Sequence, residues 1–181
     1  TGATPVSDRI TEIGVVEVYG NPAQFALGQE DTVLTVTLPA PLSPEAQADL
    51  TLGFTVTVPS LPDRFGAYQD VMVLGHWYPE LSADDDEGWH TDPYVSLGDA
   101  YYSEASHFTL NLTLSEEMAV AATGVETARR ANSDGSVTLT YQGGAARDMA
   151  VVMSPAFETI STTVGQTTIN SFYLPGDRAG G

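Results

Sequence analysis

His76, His90 and His107 are the side chains of this 181-residue sequence best suited to acid–base or metal chemistry, and the sequence has no cysteine. They lie within or just beyond a stretch from about Pro59 to Glu104 that also holds both tryptophans, Trp77 and Trp89. Its second half, Glu80 to Glu104, carries Glu80, Asp84, Asp85, Asp86, Glu87, Asp92, Asp99 and Glu104, eight of the 24 acids. Imidazole nitrogen and carboxylate oxygen are both zinc ligands. Yet no histidine pair has the i, i+4 spacing of a helix face. H-E-x-x-H is absent too, because the three histidines are followed by Trp, Thr and Phe. Surface or strand-end histidines with ordinary hydrogen-bond partners are the simpler reading.

Asp84-Asp85-Asp86-Glu87-Gly88 suggests calcium, a hard cation that takes several oxygens around a sharp glycine turn. Asp84 and Asp86 are the candidate ligands. The complete calcium loop with its distant Glu is missing, so a solvated acidic turn competes with this reading. A paired-carboxylate glycosidase site can be drawn on any chain this acidic and carries little weight. Nucleophilic catalysis has no better footing. G-x-S-x-G is absent, and a triad would have only Ser or Thr and one of three histidines to draw on. A phosphate loop needs a Lys, and there is none.

All six basic residues are Arg, which leaves a formal charge of -18 and a pI near 4.1. Such a chain does not condense onto nucleic acid, whose phosphates demand Lys and Arg, and an anionic membrane surface repels it. Hydrophobic content of 42% with 17% charged residues excludes a disordered profile. The length suits one sizeable domain. Thr1 to Arg9 shows no basic segment leading into an apolar run, and no apolar run approaches the ~18 residues of a membrane span. Without a targeting segment the expectation is a cytoplasmic protein or an excised piece of a longer one, and a start without Met reads as a cut. Absent cysteines fit either compartment.

The elements that position these residues read as strands. Period-two alternation runs through Thr32–Leu38, Thr51–Val58 and His107–Leu114, so that one side-chain set falls on each face. Further strands are expected at Glu12–Tyr19, Val71–Trp77, Ser136–Tyr141, Asp148–Ser154, Glu158–Thr163 and Thr167–Leu174. Gly20-Asn21-Pro22, Asn132-Ser133-Asp134-Gly135 and Gly143-Gly144 read as turns, with Asp134-Gly135 the hairpin signal. Pro44–Asp49 offers one helical turn after a Ser43 cap, and Glu116–Ala122 is ambiguous. The fold class expected is all-β: a mostly antiparallel sandwich or saddle-like domain with a long loop excursion at about 59–106.

Several motifs in that excursion and after it fall in a recognisable order. Phe54-Thr55-Val56-Thr57-Val58-Pro59 precedes Asp63-Arg64-Phe65-Gly66, Leu74-Gly75-His76-Trp77-Tyr78-Pro79-Glu80-Leu81 and Gly88-Trp89-His90-Thr91-Asp92-Pro93-Tyr94. Gly98-Asp99-Ala100-Tyr101-Tyr102-Ser103-Glu104, Phe108–Leu114, Val120–Gly124 and Arg147-Asp148-Met149-Ala150 follow. This order resembles the N-terminal β domain of M1-family zinc metallopeptidases, in the bacterial branch carrying G-N-W-Y-P. The resemblance implies a saddle-shaped β domain packed against a thermolysin-like catalytic domain. There, H-E-x-x-H, a third Glu ligand and a G-x-M-E-N loop do the chemistry. None of these motifs is in this sequence, so no cofactor is expected in this chain, and zinc is expected in the missing catalytic domain.

By the same resemblance, residues 1–175 form a single β domain lacking its first strands, and 176–181 lead toward the catalytic domain. His76-Trp77-Tyr78-Pro79-Glu80 occupies the place where many members have T-Q-x-E, beside the substrate's N-terminal residue. His76, Trp77, Tyr78 and Glu80 are therefore the substrate-cleft candidates. Glu80 or His76 would pair with a cationic amine, while Trp77, Tyr78 and Trp89 also suit packing of a long loop.

The resemblance yields a noncatalytic domain of an aminopeptidase-like parent, partnered by its own catalytic domain and a peptide substrate. Neither nucleic acid nor membrane contact is expected, and a secreted or extracytoplasmic parent is favoured. This reading predicts an exposed apolar and aromatic patch. The alternative is a free-standing β-sandwich binding or adhesion module, calcium-assisted through the acidic turn.

Overall fold

The structure is a computed structural model and describes residues 11–29, 31–92 and 101–177. The segment before Thr11, Asp99 and positions 178–181 of the expected linker lie outside them. In chain order the first strands are β1 (Thr11–Val18), β2 (Asn21–Pro22), β3 (Phe25–Gly28), β4 (Val33–Val36) and β5 (Leu50–Val56). Next come β6 (Phe65–Tyr68), β7 (Val71–Leu74), β8 (Asp84–Asp85), β9 (Gly88–Trp89), β10 (Ser106–Ser115) and β11 (Ala119–Ala122). The last are β12 (Val125–Ala131), β13 (Ser136–Ala146), β14 (Val151–Ser154), β15 (Glu158–Val164) and β16 (Thr167–Tyr173). A 3-10 turn at Pro175–Asp177 follows. Every described pairing is antiparallel, as the alternation predicts. Among the described residues no helix is long and apolar enough to cross a membrane.

Two compact units form, one from Thr1–Thr57 with Glu80–Glu104, the other from Val58–Pro79 with Ala105–Gly181. The first holds the sheet β2-β1-β5 and the hairpins β3–β4 and β8–β9. Its register explains a sequence that does not alternate cleanly. A bulge between Ile13 and Val15 lets Ile13, Val16 and Val18 pair with Phe54, Leu52 and Leu50. One extra residue thereby puts all six on one face. Val16 and Val18 are buried.

The second unit is a sandwich of the sheets β10-β13-β12 and β11-β14-β7-β6, with the hairpin β15–β16 beside it. Val137, Leu139 and Tyr141 of β13 face one way, and Leu74, Val151 and Met153 of the other sheet are buried with them. Leu110, Leu114, Val120 and Ala122 pack against both sets, which makes the two clusters one core. Tyr141 keeps its phenol satisfied by donating to Glu126 Oε2 at 3.3 Å. Burial, then the neighbouring carboxylate, pushes its pKa up to about 12.

Some expectations change. Gly143-Gly144 is not a turn but lies inside β13. The close approach there is at the facing Gly124, whose Cβ would fall 2.3 Å from Gln142 O and 2.7 Å from Gly143 N. Strand glycines commonly mark such close backbone approach. Glu116–Ala122 resolves into a turn and β11, which pairs with β14. Pro44–Asp49 makes a tight turn without a helix, with Ala46 N–H donating to Ser43 O at 3.0 Å and Glu45 at φ 65°. Within the excursion, Phe65–Leu74 is a hairpin belonging to the main sheet. The Asp134-Gly135 turn forms as expected, Asp134 Oδ1 accepting the Ser136 N–H at 3.0 Å.

Two substitutions test this core. Leu139 has no exposed surface, and Leu139→Ala should destabilise the second unit by about 2–5 kcal/mol in urea denaturation. Gly124 and Gly135 both have positive φ, 95° and 85°. A Cβ on Gly124 would fall 2.3 Å from Gln142 O, whereas one on Gly135 meets nothing within 4 Å. Gly135→Ala should therefore cost only the left-handed strain, about 1–2 kcal/mol, and Gly124→Ala clearly more.

Candidate functional site

In the second unit, β7 ends at Leu74 and is paired there with Val151 of β14. Beyond this pair the ladder stops and side chains replace it. Gly75 N–H donates to Arg64 O at 2.9 Å. His76 then takes a left-handed conformation, φ 48°, which costs a non-glycine residue about 1–2 kcal/mol. Its main-chain N–H donates to Asp148 Oδ2 at 3.1 Å. Trp77 Nε1–H donates to Met149 O at 2.9 Å, and Met149 N–H donates to Tyr78 Oη at 3.3 Å. Both main-chain groups of Met149 are thus satisfied by neighbouring aromatic side chains.

The rings have packing duties as well. Trp77 lies against the Leu74, Val151 and Met153 cluster. It meets Tyr78 edge-on at 5.6 Å, and Tyr78 meets Phe108 at 5.9 Å, separations at which edge-to-face pairs are favourable. His76 and Asp148 are each about one-fifth exposed, with Nε2 and Oδ2 4.0 Å apart. Asp148 Oδ1 is buried and has no hydrogen-bond partner among the described residues.

The structure therefore brings His76, Trp77 and Tyr78 together on Asp148–Met149. Nothing in the local sequence singles out Asp148, although Arg147-Asp148-Met149-Ala150 stands among the ordered motifs. Glu80, the remaining cleft candidate, is half-buried and belongs to the first unit.

The acidic turn also lies in the first unit, where β8 and β9 pair Asp84 with Trp89 and Asp85 with Gly88. Gly88 supplies the positive φ of 96° that the turn needs. Asp85 Oδ1 accepts the Glu87 N–H at 2.9 Å, and Oδ2 lies 2.7 Å from His90 Nε2. His90 N–H donates to Ala83 O at 2.9 Å, and its ring meets Tyr102 edge-on at 4.9 Å. Asp84 and Asp86 are exposed. A depression of about 270 Å³ opens beside Trp89, His90 and Asp92. Within each unit taken alone, no three metal-ligand atoms converge among the described residues, fewer than the three or four protein ligands of a zinc centre.

The Glu87 N–H, then His90, hold the Asp85 carboxyl below its ordinary value of 3.8. The hydrogen bond to Asp85 raises His90 above 6.5, opposed by desolvation and helped by Asp92 and Glu87. A raised histidine contributes stability that is complete below 6.5 and fades as pH rises through its folded value. A lowered carboxyl contributes above 3.8 and fades as pH falls through its own. The turn should hold best between those limits. An NMR titration should place the His90 midpoint above 6.5, and Asp85→Asn should bring it down.

Asp148 offers a second check. Asp148→Ala strands the His76 N–H and should cost about 1–3 kcal/mol in chemical denaturation. Asp148→Asn keeps an acceptor and replaces the partnerless charged oxygen, so it should cost less.

No protein-family model matches the sequence, and no curated protein is similar to it. Solved structures are. A mutant two-domain M1 zinc metallopeptidase bound to L-arginine matches at 17% identity and TM-score 0.60, covering 92% of this chain and 38% of that chain. The same type of mutant bound to L-tryptophan matches at 20% and 0.60 with equal coverage. The M1 zinc metallopeptidase from Deinococcus radiodurans matches at 20% and 0.58, again over 92% and 38%. The chain therefore has a fold found in M1 zinc metallopeptidase structures, and it spans under two-fifths of their length.

Proposed function

We propose that the chain is a noncatalytic N-terminal β domain of an M1-like zinc metallopeptidase, an aminopeptidase whose catalytic domain it docks and whose peptide cleft it helps to wall. The observation that carries this reading is the asymmetry of the structural match: nearly all of this chain, but 38% of the two-domain enzyme. The ordered motifs from Phe54 to Ala150 support it independently. Zinc would be held by the catalytic domain.

The β15–β16 hairpin supports the docking role. Cross-strand pairing places Ile160, Val164 and Ile169 on one face, 42%, 65% and 51% exposed. A two-stranded hairpin is marginal in water by itself, so such a face is best stabilised by a covering partner. For the cleft, the Asp148–Met149 contacts would hold the His76–Tyr78 segment rigid beside the substrate. Glu80 would then receive the peptide's cationic amino group.

Aminoacyl p-nitroanilides test the reading. This chain alone should give no turnover, and hydrolysis that survives a chelator would overturn the proposal. The full-length parent should be active and chelator-sensitive. In it, Glu80→Gln should raise KM for substrates with a free amino terminus about tenfold, the scale of one charge-assisted hydrogen bond, with kcat little changed.

A further inference from the structure

Sheets end in edges, and the outer strands of the second unit's sandwich differ in how they are protected. β6 and β11 are four residues each, and the Ala67 N–H of β6 is already taken by Pro59 O at 2.8 Å. β12 carries Glu126, Arg129 and Arg130 and is bulged between Glu126 and Ala128. Short length, charge and bulges are the usual defences of an edge. β10 has none of them over Phe108–Ser115, where its register with β13 runs unbroken. Those eight residues, Phe-Thr-Leu-Asn-Leu-Thr-Leu-Ser, contain no charge, Gly or Pro. Among the described residues only β13 pairs with β10.

Burial across the ladder agrees. Val137, Leu139 and Tyr141 of β13 are 4%, 0% and 5% exposed, while their partners Leu114, Leu112 and Leu110 are only partly buried. On the outer face the side chains are already ordered. Thr113 and Thr138 share a hydrogen bond of 2.8 Å, and Thr140 donates to Asn111 Oδ1 at 2.8 Å. Along Phe108–Ser115 an added strand would find a pre-organised edge that no other described strand pairs with, and leucines still to cover.

Charge selects the occupant. The chain carries -18 overall, which opposes pairing with a second copy, and Glu116 and Glu117 stand exposed at the C-terminal end of β10. We propose that the outer edge of β10 over Phe108–Ser115 is a strand-addition site for an extended cationic segment of another protein. That segment runs antiparallel to β10, with its basic N-terminal end beside Glu116 and Glu117. The site is separate from the His76–Tyr78 segment and does not depend on the metallopeptidase reading.

Labelled ten-residue peptides and the full 181-residue chain test this by fluorescence anisotropy. One peptide is Arg-Arg followed by alternating Thr and Val; a second carries the Arg pair at its C-terminus; a third is the first with alternate backbone amides N-methylated. The first should bind saturably, and the second about fivefold more weakly at low salt, as expected for exposed ion pairs. N-methylation should abolish binding, and Glu116→Gln with Glu117→Gln should bring the first two level. Absence of saturable binding, or equal binding of the N-methylated peptide, would refute strand addition. A dimer of this chain that the first peptide fails to dissociate would assign the edge to a second copy and refute it equally.

Discussion

The second unit depends on one buried surface, the face of β13 that presents Val137, Leu139 and Tyr141 to the opposing sheet. Because β13 lies between β10 and β12, it is the strand whose side chains can be excluded from water from both sides. Its register then dictates the rest. Pairing Leu112 with Leu139 fixes which residues of β10 point inward, and it sends Thr109, Asn111 and Thr113 outward. The same constraint explains Gly124, where the main chain at Gln142 comes too close for any side chain.

From that core the ladder β7–β14 extends to a point where backbone pairing fails and three successive residues bond to Asp148 and Met149 by other means. The backbone groups of a segment that leaves a sheet must find partners or water. Here an aspartate, an indole and a phenol supply them. His76 can hold its left-handed conformation because its N–H is tied to Asp148. A segment so held presents its side chains in a fixed direction.

Much of the fold was legible in the sequence. Wherever one face of a strand is buried and the other wet, alternation is written into the residues, as in β10, and Asp134-Gly135 announced its turn for equally local reasons. The elements that escaped notice lack this signature. β12 is exposed along its whole length and carries Glu126, Arg129 and Arg130. It is a strand because β13 offers it a ladder, not because its own residues alternate. β6 is too short to show a period, and the glycines inside β13 mimic a turn. The cleft candidates were legible only in part. His76, Trp77 and Tyr78 could be named, but their anchor lies about 72 residues away, beyond the reach of local pattern.

By itself the sequence determined the all-β class, most strand positions, the acidic character and the absence of a catalytic motif, all properties of composition or short-range spacing. Only the tertiary structure decided that Asp148 secures His76, that Asp85 is engaged by His90, and that β10 rather than β12 bears the unguarded edge. These outcomes depend on which distant segments become neighbours. Strand pairing sets them through the burial of side chains far apart in the chain, and no window of local sequence contains that information.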